Sequence, residues 1–349
     1  MDKKLVIVTG ASGRIGSNVV KRLGQEFKIV GFELLKAIYS STSEEIVPVD
    51  ISSDESVEQA FMHIRNFYGT KIASVVHLAA YYSFDQQHSP KYEQITVKGT
   101  ERLLKALKNF EVEQFIFSST MLVHKPEKPG VLTNEDSPIE PKWAYPISKV
   151  QTEKVIHELR GKIKTVILRI AGVYDDGCHS IPISNQIQRI YEKSIESRLF
   201  SGNITHGASY LHMDDLVDAI QLAVQKRQSL PDELVLVVGE PKTLSYDQMQ
   251  RKISRLLYGK EFKTYQVPKW FAKMGAWMLC HIPFVHGSFI KPWMIDLADD
   301  HYQLDITRAR QTLGWNPKHS IDDTLPIMIE DLKKDPAAWY RKNGLKGKK

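Results

Sequence analysis

Short runs of apolar, mostly β-branched residues recur along the first half of the chain, at Leu5 to Val8, Ile29 to Phe32, Ile46 to Val49, Val75 to Leu78, Phe115 to Phe117 and Val166 to Leu168. Runs that are apolar throughout suit strands covered on both faces. Between them, Ile15 to Leu23, Val57 to Phe67, Tyr92 to Leu107 and Ala144 to Leu159 carry apolar residues at helical spacing. Such alternation implies parallel pairing through right-handed crossovers, so residues 1–172 are predicted to form a doubly wound α/β domain. After Gly172 the alternation becomes irregular, and turn signals gather at Asp175-Asp176-Gly177, Pro182, Gly202-Asn203, Pro231-Asp232 and Pro241. A smaller, mixed second domain is expected over 173–206 and 240–330, with 207–239 returning to the first domain.

Trp270, Phe271, Met274, Trp277, Met278 and Ile282 fall near one face of a further helix, and Trp293 follows. This face is read as core of the second domain. The alternatives are a lid over an apolar substrate or contact of 268–295 with a membrane surface, the latter not favoured.

Length agrees with this division, since 349 residues suit two domains of about 150 each. With 42% hydrophobic and 25% charged residues, neither disorder nor a membrane bundle fits. The apolar run before Gly10 is shorter than the roughly 7–15 residues of a signal peptide, and no stretch reaches the roughly 20 of a spanning helix. Cys178 and Cys280 form no CxxC pair, so no metal site is expected and a reducing, cytoplasmic setting is. The net charge of +6 suggests nucleic acid until it is located. Seven basic residues against the single acid Asp335 lie between Lys333 and Lys349, which accounts for all of it. Residues 331–349 therefore read as a solvated basic tail, and no nucleic-acid partner is expected.

Candidate chemistry begins at Gly10-Ala11-Ser12-Gly13-Arg14-Ile15-Gly16, directly after the first strand and opening the first helix. Glycines there let backbone N–H groups approach a pyrophosphate, and the helix N-terminus offers its positive end, as in a dinucleotide-binding (Rossmann) turn. Glu33, ending the second strand, is placed to accept hydrogen bonds from an adenosine ribose. Its carboxylate repels a 2′-phosphate, whereas Arg14 and Lys36 oppose that repulsion, so NAD is favoured over NADP. Asp50 either reaches the adenine or serves as a turn residue. Tyr145 and Lys149 stand four apart and share a helix face. A fixed ammonium beside a phenol favours the phenolate, which can exchange a proton with a substrate hydroxyl while hydride moves to or from a nicotinamide.

The order of motifs resembles the extended short-chain dehydrogenase/reductase family, NAD-dependent epimerase/dehydratase type, over roughly residues 4–330. The likeness rests on the glycine turn, Val76 to Ala80, Ser89-Pro90, Tyr92, Gly99-Thr100, Phe117 to Thr120, Tyr145 with Lys149, and Leu168-Arg169 with Val173-Tyr174. Farther on come Leu211 to Leu216 and Leu313-Gly314-Trp315 with Pro317. The resemblance implies Thr120 as the hydroxyl on the reacting oxygen, Tyr145 as acid/base and Lys149 as the group holding the nicotinamide ribose. It further implies cofactor contacts from Ile51, Leu78, Ala79, Ala80, Ser118 and Ile170. A homodimer paired through Tyr92 to Leu107 and Ala144 to Leu159 is expected.

Departures from that pattern narrow the reaction. Met121-Leu122 stand where dehydratases carry Asp-Glu, so dehydration is disfavoured. Ala208-Ser209-Tyr210 and Pro292 to Ile295 stand where sugar-nucleotide enzymes usually carry arginines, which puts a diphosphate-bearing substrate in doubt. Thr96 replaces a usual Asn. The reading is hydride transfer at a secondary alcohol or ketone of a sugar-like or apolar substrate. The alternatives are a dehydrogenase similar to the 3β-hydroxysteroid type and a non-catalytic NAD-binding sensor.

Overall fold

In the computed structural model, residues 3–34, 45–83, 89–281 and 292–346 are described. Strands β1 (Leu5–Thr9), β2 (Lys28–Glu33) and β3 (Glu45–Pro48) alternate with helices α1 (Arg14–Leu23) and α2 (Asp54–Tyr68). The short pair β4 (Lys71–Ile72) and β6 (Glu111–Val112) flanks β5 (Ser74–His77) and α3 (Lys98–Leu107). Next come β7 (Gln114–Thr120), α4 (Ala144–Leu159), β8 (Lys164–Ile170) and β9 (Gly172–Tyr174). The later part holds α5 (Ile181–Tyr191), β10 (Leu199–Phe200), β11 (Tyr210–His212), α6 (Met213–Gln225) and β12 (Glu233–Val238). After it come α7 (Tyr246–Tyr258), β13 (Tyr265–Gln266), α8 (Lys269–His281) and α9 (Pro292–Leu297), then α10 (Thr307–Leu313), α11 (Ile321–Lys334) and α12 (Pro336–Lys342).

Seven strands form one parallel sheet in the order β12-β8-β7-β5-β1-β2-β3. Because side chains alternate across a strand, each strand feeds two cores. Val6 and Val8 of β1 and Ile116 of β7 pack with α1 and α6, whereas Leu5, Ile7, Phe115 and Phe117 pack on the opposite face with α2, α3 and α4. Chain order reverses about β1, with β2 on one side and β5 on the other. Crevices at the carboxyl ends of strands beside such a reversal are where ligands bind.

Three features differ from the sequence reading. The basic stretch from 331 is not a free tail. Asp335 caps α12, and Trp339, 1% exposed, joins a third core with Ile187 of α5, Ile253 of α7 and Leu325 of α11. Helix α8 turns Trp270, Phe271, Met274 and Trp277 outward, with Trp270 68% exposed, so that face is not core. Lys269 pairs with Asp299 at 3.1 Å and Lys273 with Asp296 of α9 at 2.7 Å. The helix expected from Tyr92 starts as a π turn over Tyr92–Val97 and becomes α-helical only at Lys98. Lys36, Ile282 and the side chain of Met278 lie outside the described residues. Among the described residues no helix is long and apolar enough to cross a membrane.

Candidate active site

The turn after β1 is built so tightly that its glycines are required. Gly10 has φ +69°, and a Cβ on it would meet Ala79 N at 3.1 Å. A Cβ on Gly16 would lie 2.0 Å from Gly10 O, and one on Gly13 3.1 Å from the same oxygen. Helix α1 has no side-chain cap and no acid in its first turn, which leaves its positive end and its first N–H groups for an anion. Glu33 Oε2 accepts from Ser12 N at 2.9 Å, and its Oε1 accepts from Leu34 N at 2.9 Å. These features fit the pyrophosphate and ribose of a dinucleotide. Ile15 is half-buried one position before Gly16. Arg14 reaches away from Glu33, its guanidinium donating to His179 O at 2.6 Å. Asp50 is exposed and closes a turn by accepting from Ser52 N and Ser52 Oγ, while Ile51 lies in the core beneath Gly99.

The next wall comes from β5 and β7. His77 is fully buried, with Nδ1 2.7 Å from Thr9 Oγ1 and Nε2 2.9 Å from Thr100 Oγ1. Burial and the nearby Lys149 charge hold its imidazole down to about 3, so the ring is neutral. Thr100 donates to Thr96 O, so its oxygen accepts from His77 Nε2–H, and Thr9 then donates to Nδ1. The same Thr9 oxygen accepts from Leu78 N and Ala79 N, fixing the backbone that runs on to Ala80. Thr96, also fully buried, accepts from Tyr81 N at 3.0 Å and so ties the loop after β5 to the π turn.

At the end of β7 the structure brings Thr120, Tyr145 and Lys149 together. Tyr145 opens α4, and Thr120 stands near enough to its phenol to favour the phenolate. Burial pushes the phenol up to about 12, and the Thr120 bond pulls the other way. The ammonium of Lys149 is not on the phenol oxygen. It donates to Ser118 O at 2.6 Å and lies 5.7 Å from the centre of the Tyr145 ring. Ser118 in turn donates from Oγ to His77 O, and Ile170 pairs in register with Thr120. Burial pulls Lys149 down to about 7, against a small opposing pull from Glu153. Glu153 itself is held by Arg169 at 2.8 Å and by Ser119.

Buried, Lys149 makes stability depend on pH. The unfolded chain keeps that proton to about pH 10.4, whereas the folded chain releases it near 7. Between these values the unfolded state holds the extra proton, so raising the pH favours folding. Urea unfolding of the wild type without cofactor is expected to show stability from this group rising from pH 7 to pH 9, and Lys149→Met is expected to flatten that rise. Equal slopes in the two proteins would refute the buried, proton-poor lysine.

Several neighbours of the triad escaped the sequence reading. Tyr82 stands edge-on to Tyr145 at 4.8 Å, and Trp143 lies 5.5 Å from Tyr145 and 5.7 Å from Trp293. Trp143, two positions before Tyr145, was a usable local signal. Tyr82 and the Thr9–His77–Thr100 relay carried none, because chain folding alone joins them. Beside this aromatic cluster opens a cavity of about 580 Å³, walled by Met121 and Leu122 immediately after Thr120 and by residues of α5, β10, β11 and α9.

A model of the NAD dependent epimerase/dehydratase family matches residues 6–239. A UDP-glucose 4-epimerase of Lactobacillus helveticus is 26% identical over 357 residues, spanning 97% of this chain and 99% of that protein. Short-chain dehydrogenase/reductase family 42E member 1 of Danio rerio is 24% identical over 367 residues, spanning 97% and 89%. Among solved structures, the Thermus thermophilus UDP-glucose 4-epimerase complex with NAD superposes with a TM-score of 0.69 at 20% identity, covering 95% of this chain and 99% of that one.

Proposed function

The chain belongs to the NAD dependent epimerase/dehydratase family, within the extended short-chain dehydrogenases/reductases, with NAD as cofactor, and from that premise we propose that it transfers hydride at a secondary alcohol or ketone using Thr120, Tyr145 and Lys149. One observation supports the reading: Thr120 lies beside the Tyr145 phenol, the Lys149 amine lies 5.7 Å from the centre of the same ring, and the adjoining Tyr82, Met121 and Trp143 line a cavity. The glycine turn, Glu33 and Lys149 would hold NAD, which when bound supplies the acceptor for hydride leaving the carbinol carbon. Thr120 orients the reacting oxygen. Tyr145 takes the hydroxyl proton or returns it, and Lys149, whose Nζ sits on Ser118 O and not on the phenol, would hold the nicotinamide ribose. Met121 and Leu122, which neither donate nor accept a proton, leave no group for removing water.

The test is to denature freshly purified protein and identify and count the released nucleotide. About one NAD per chain is expected, the mark of a cofactor kept through turnover as in an epimerase. Protein that arrives empty and then binds neither NAD nor NADP would sink the proposal.

A further inference from the structure

Arg14 opens α1 from within the glycine turn, but its side chain leaves that turn. Nη1 donates to His179 O at 2.6 Å, 165 residues farther on, in the segment that joins β9 to α5. That carbonyl is held firmly. Asp175 Oδ1 accepts from His179 N at 3.1 Å, and Oδ2 lies 2.7 Å from His179 Nδ1. Between the two, Cys178 is fully buried with φ +59°, a left-handed backbone that a residue with a side chain adopts only where its surroundings dictate it. From behind, Asn343 at the end of α12 donates to Gly177 O at 3.2 Å, and a Cβ on Gly177 would meet Lys342 Cε at 2.6 Å. Burial pushes the Asp175 carboxyl up, but its hydrogen bonds to His179 and the Arg14 charge outweigh burial and hold it below the usual carboxylate range. A carboxylate there draws the guanidinium to this wall.

The bridge therefore starts beside the N–H groups that fit a pyrophosphate and ends on a wall of the cavity beside Tyr145, which Arg14, His179, Ser180 and Ile181 line together. An arginine fork that spends one hydrogen bond on a carbonyl keeps donors for phosphate oxygens. Its reach toward His179 also takes the Arg14 charge away from Glu33, where it would have favoured NADP.

We infer that Arg14 and Asp175 are positioning residues for the dinucleotide: Arg14 straps the pyrophosphate into the glycine turn, Asp175 holds the anchor of that strap, and the Arg14–His179 bridge must open before the nucleotide can leave. This rests on the glycine turn as the NAD site.

The rate of NAD release tests it. The protein is loaded with NAD, freed of excess, and mixed with alcohol dehydrogenase and ethanol, which turn each released NAD into NADH. Arg14→Met and Asp175→Ala are each expected to release NAD about tenfold faster than the wild type. The double variant is expected to be no faster than the faster single one, because both changes open the same bridge. Arg14 is exposed, so its variant is expected to melt with the wild type, and faster release is then not unfolding. Should Asp175→Ala fail to fold, Asn343→Ala loosens the same segment from behind and takes its place. Release at the wild-type rate from Arg14→Met would overturn the inference. Faster release from Arg14→Met alone, with Asp175→Ala and Asn343→Ala at the wild-type rate, would reduce Arg14 to a plain phosphate contact and overturn the bridge. Accelerations that multiply in the double variant would do the same. A wild type that takes up no NAD would refute the turn as the cofactor site, and the bridge with it.

Discussion

Tyr145→Phe is expected to lower turnover by about 10²–10⁴ while leaving the bound NAD per chain unchanged. The ring is fixed from three sides, by Tyr82, Trp143 and the Lys149 ammonium, so phenylalanine keeps the same packing and loses only the oxygen. In the proposed mechanism that oxygen accepts or returns the substrate proton beside Thr120. The loss corresponds to about 3–5 kcal/mol of transition-state stabilisation. The proposed cofactor grip lies elsewhere, in the glycine turn, Glu33 and Lys149. The measurement is the rate of reduced nicotinamide formation with whichever secondary alcohol the wild type turns over, beside a count of nucleotide released on denaturation. Undiminished turnover would remove Tyr145 from the proposed mechanism.

The second large effect is expected at Gly16→Ala. An added Cβ would lie 2.0 Å from Gly10 O and 2.9 Å from Ala11 Cα, all backbone atoms, so no side chain can swing aside to make room. Helix α1 must move away from β1, and its N-terminus then no longer faces the turn. Overpacking of this kind costs about 1–3 kcal/mol. The protein is expected to melt several degrees lower and to carry no NAD after purification. Gly13→Ala, whose closest contact is a single oxygen at 3.1 Å, is expected to be milder. A Gly16→Ala protein with wild-type melting and a full complement of NAD would show that the turn does not set the cofactor site.

Much of the fold up to Gly172 was legible because its signals are local. Apolar runs located strands to within a few residues, although the run ending at Phe117 missed Ser118, Ser119 and Thr120, which extend β7 with polar side chains. Tyr145 and Lys149 could be placed on one face because a helix fixes that relation, yet spacing could not say that the ammonium would prefer Ser118 O to the phenol. In α8 the periodicity identified an apolar face but not its direction, because spacing does not say what packs against a helix, and Trp270, Phe271, Met274 and Trp277 are exposed. Counting charges near the C-terminus concealed Trp339 and Tyr340, whose rings share a core with α5, α7 and α11. The relay from Thr9 through His77 to Thr100 joins positions that are 68 and 23 residues apart, beyond any local pattern. The π turn is invisible to a period of 3.6.

The last strand of the sheet, β12, joins beside β8 only after the chain has passed Gly172 and built α5, β10, β11 and α6. During synthesis, therefore, the edge of β8 stays open until Val238 has emerged from the ribosome, more than sixty residues after Ile170. At about 5–20 residues per second that is an interval of several seconds in which Val166, Ile167 and Leu168 have no neighbour on that side. Nascent chains stalled within this window should draw chaperones most strongly, and slowing translation there should lower the soluble yield.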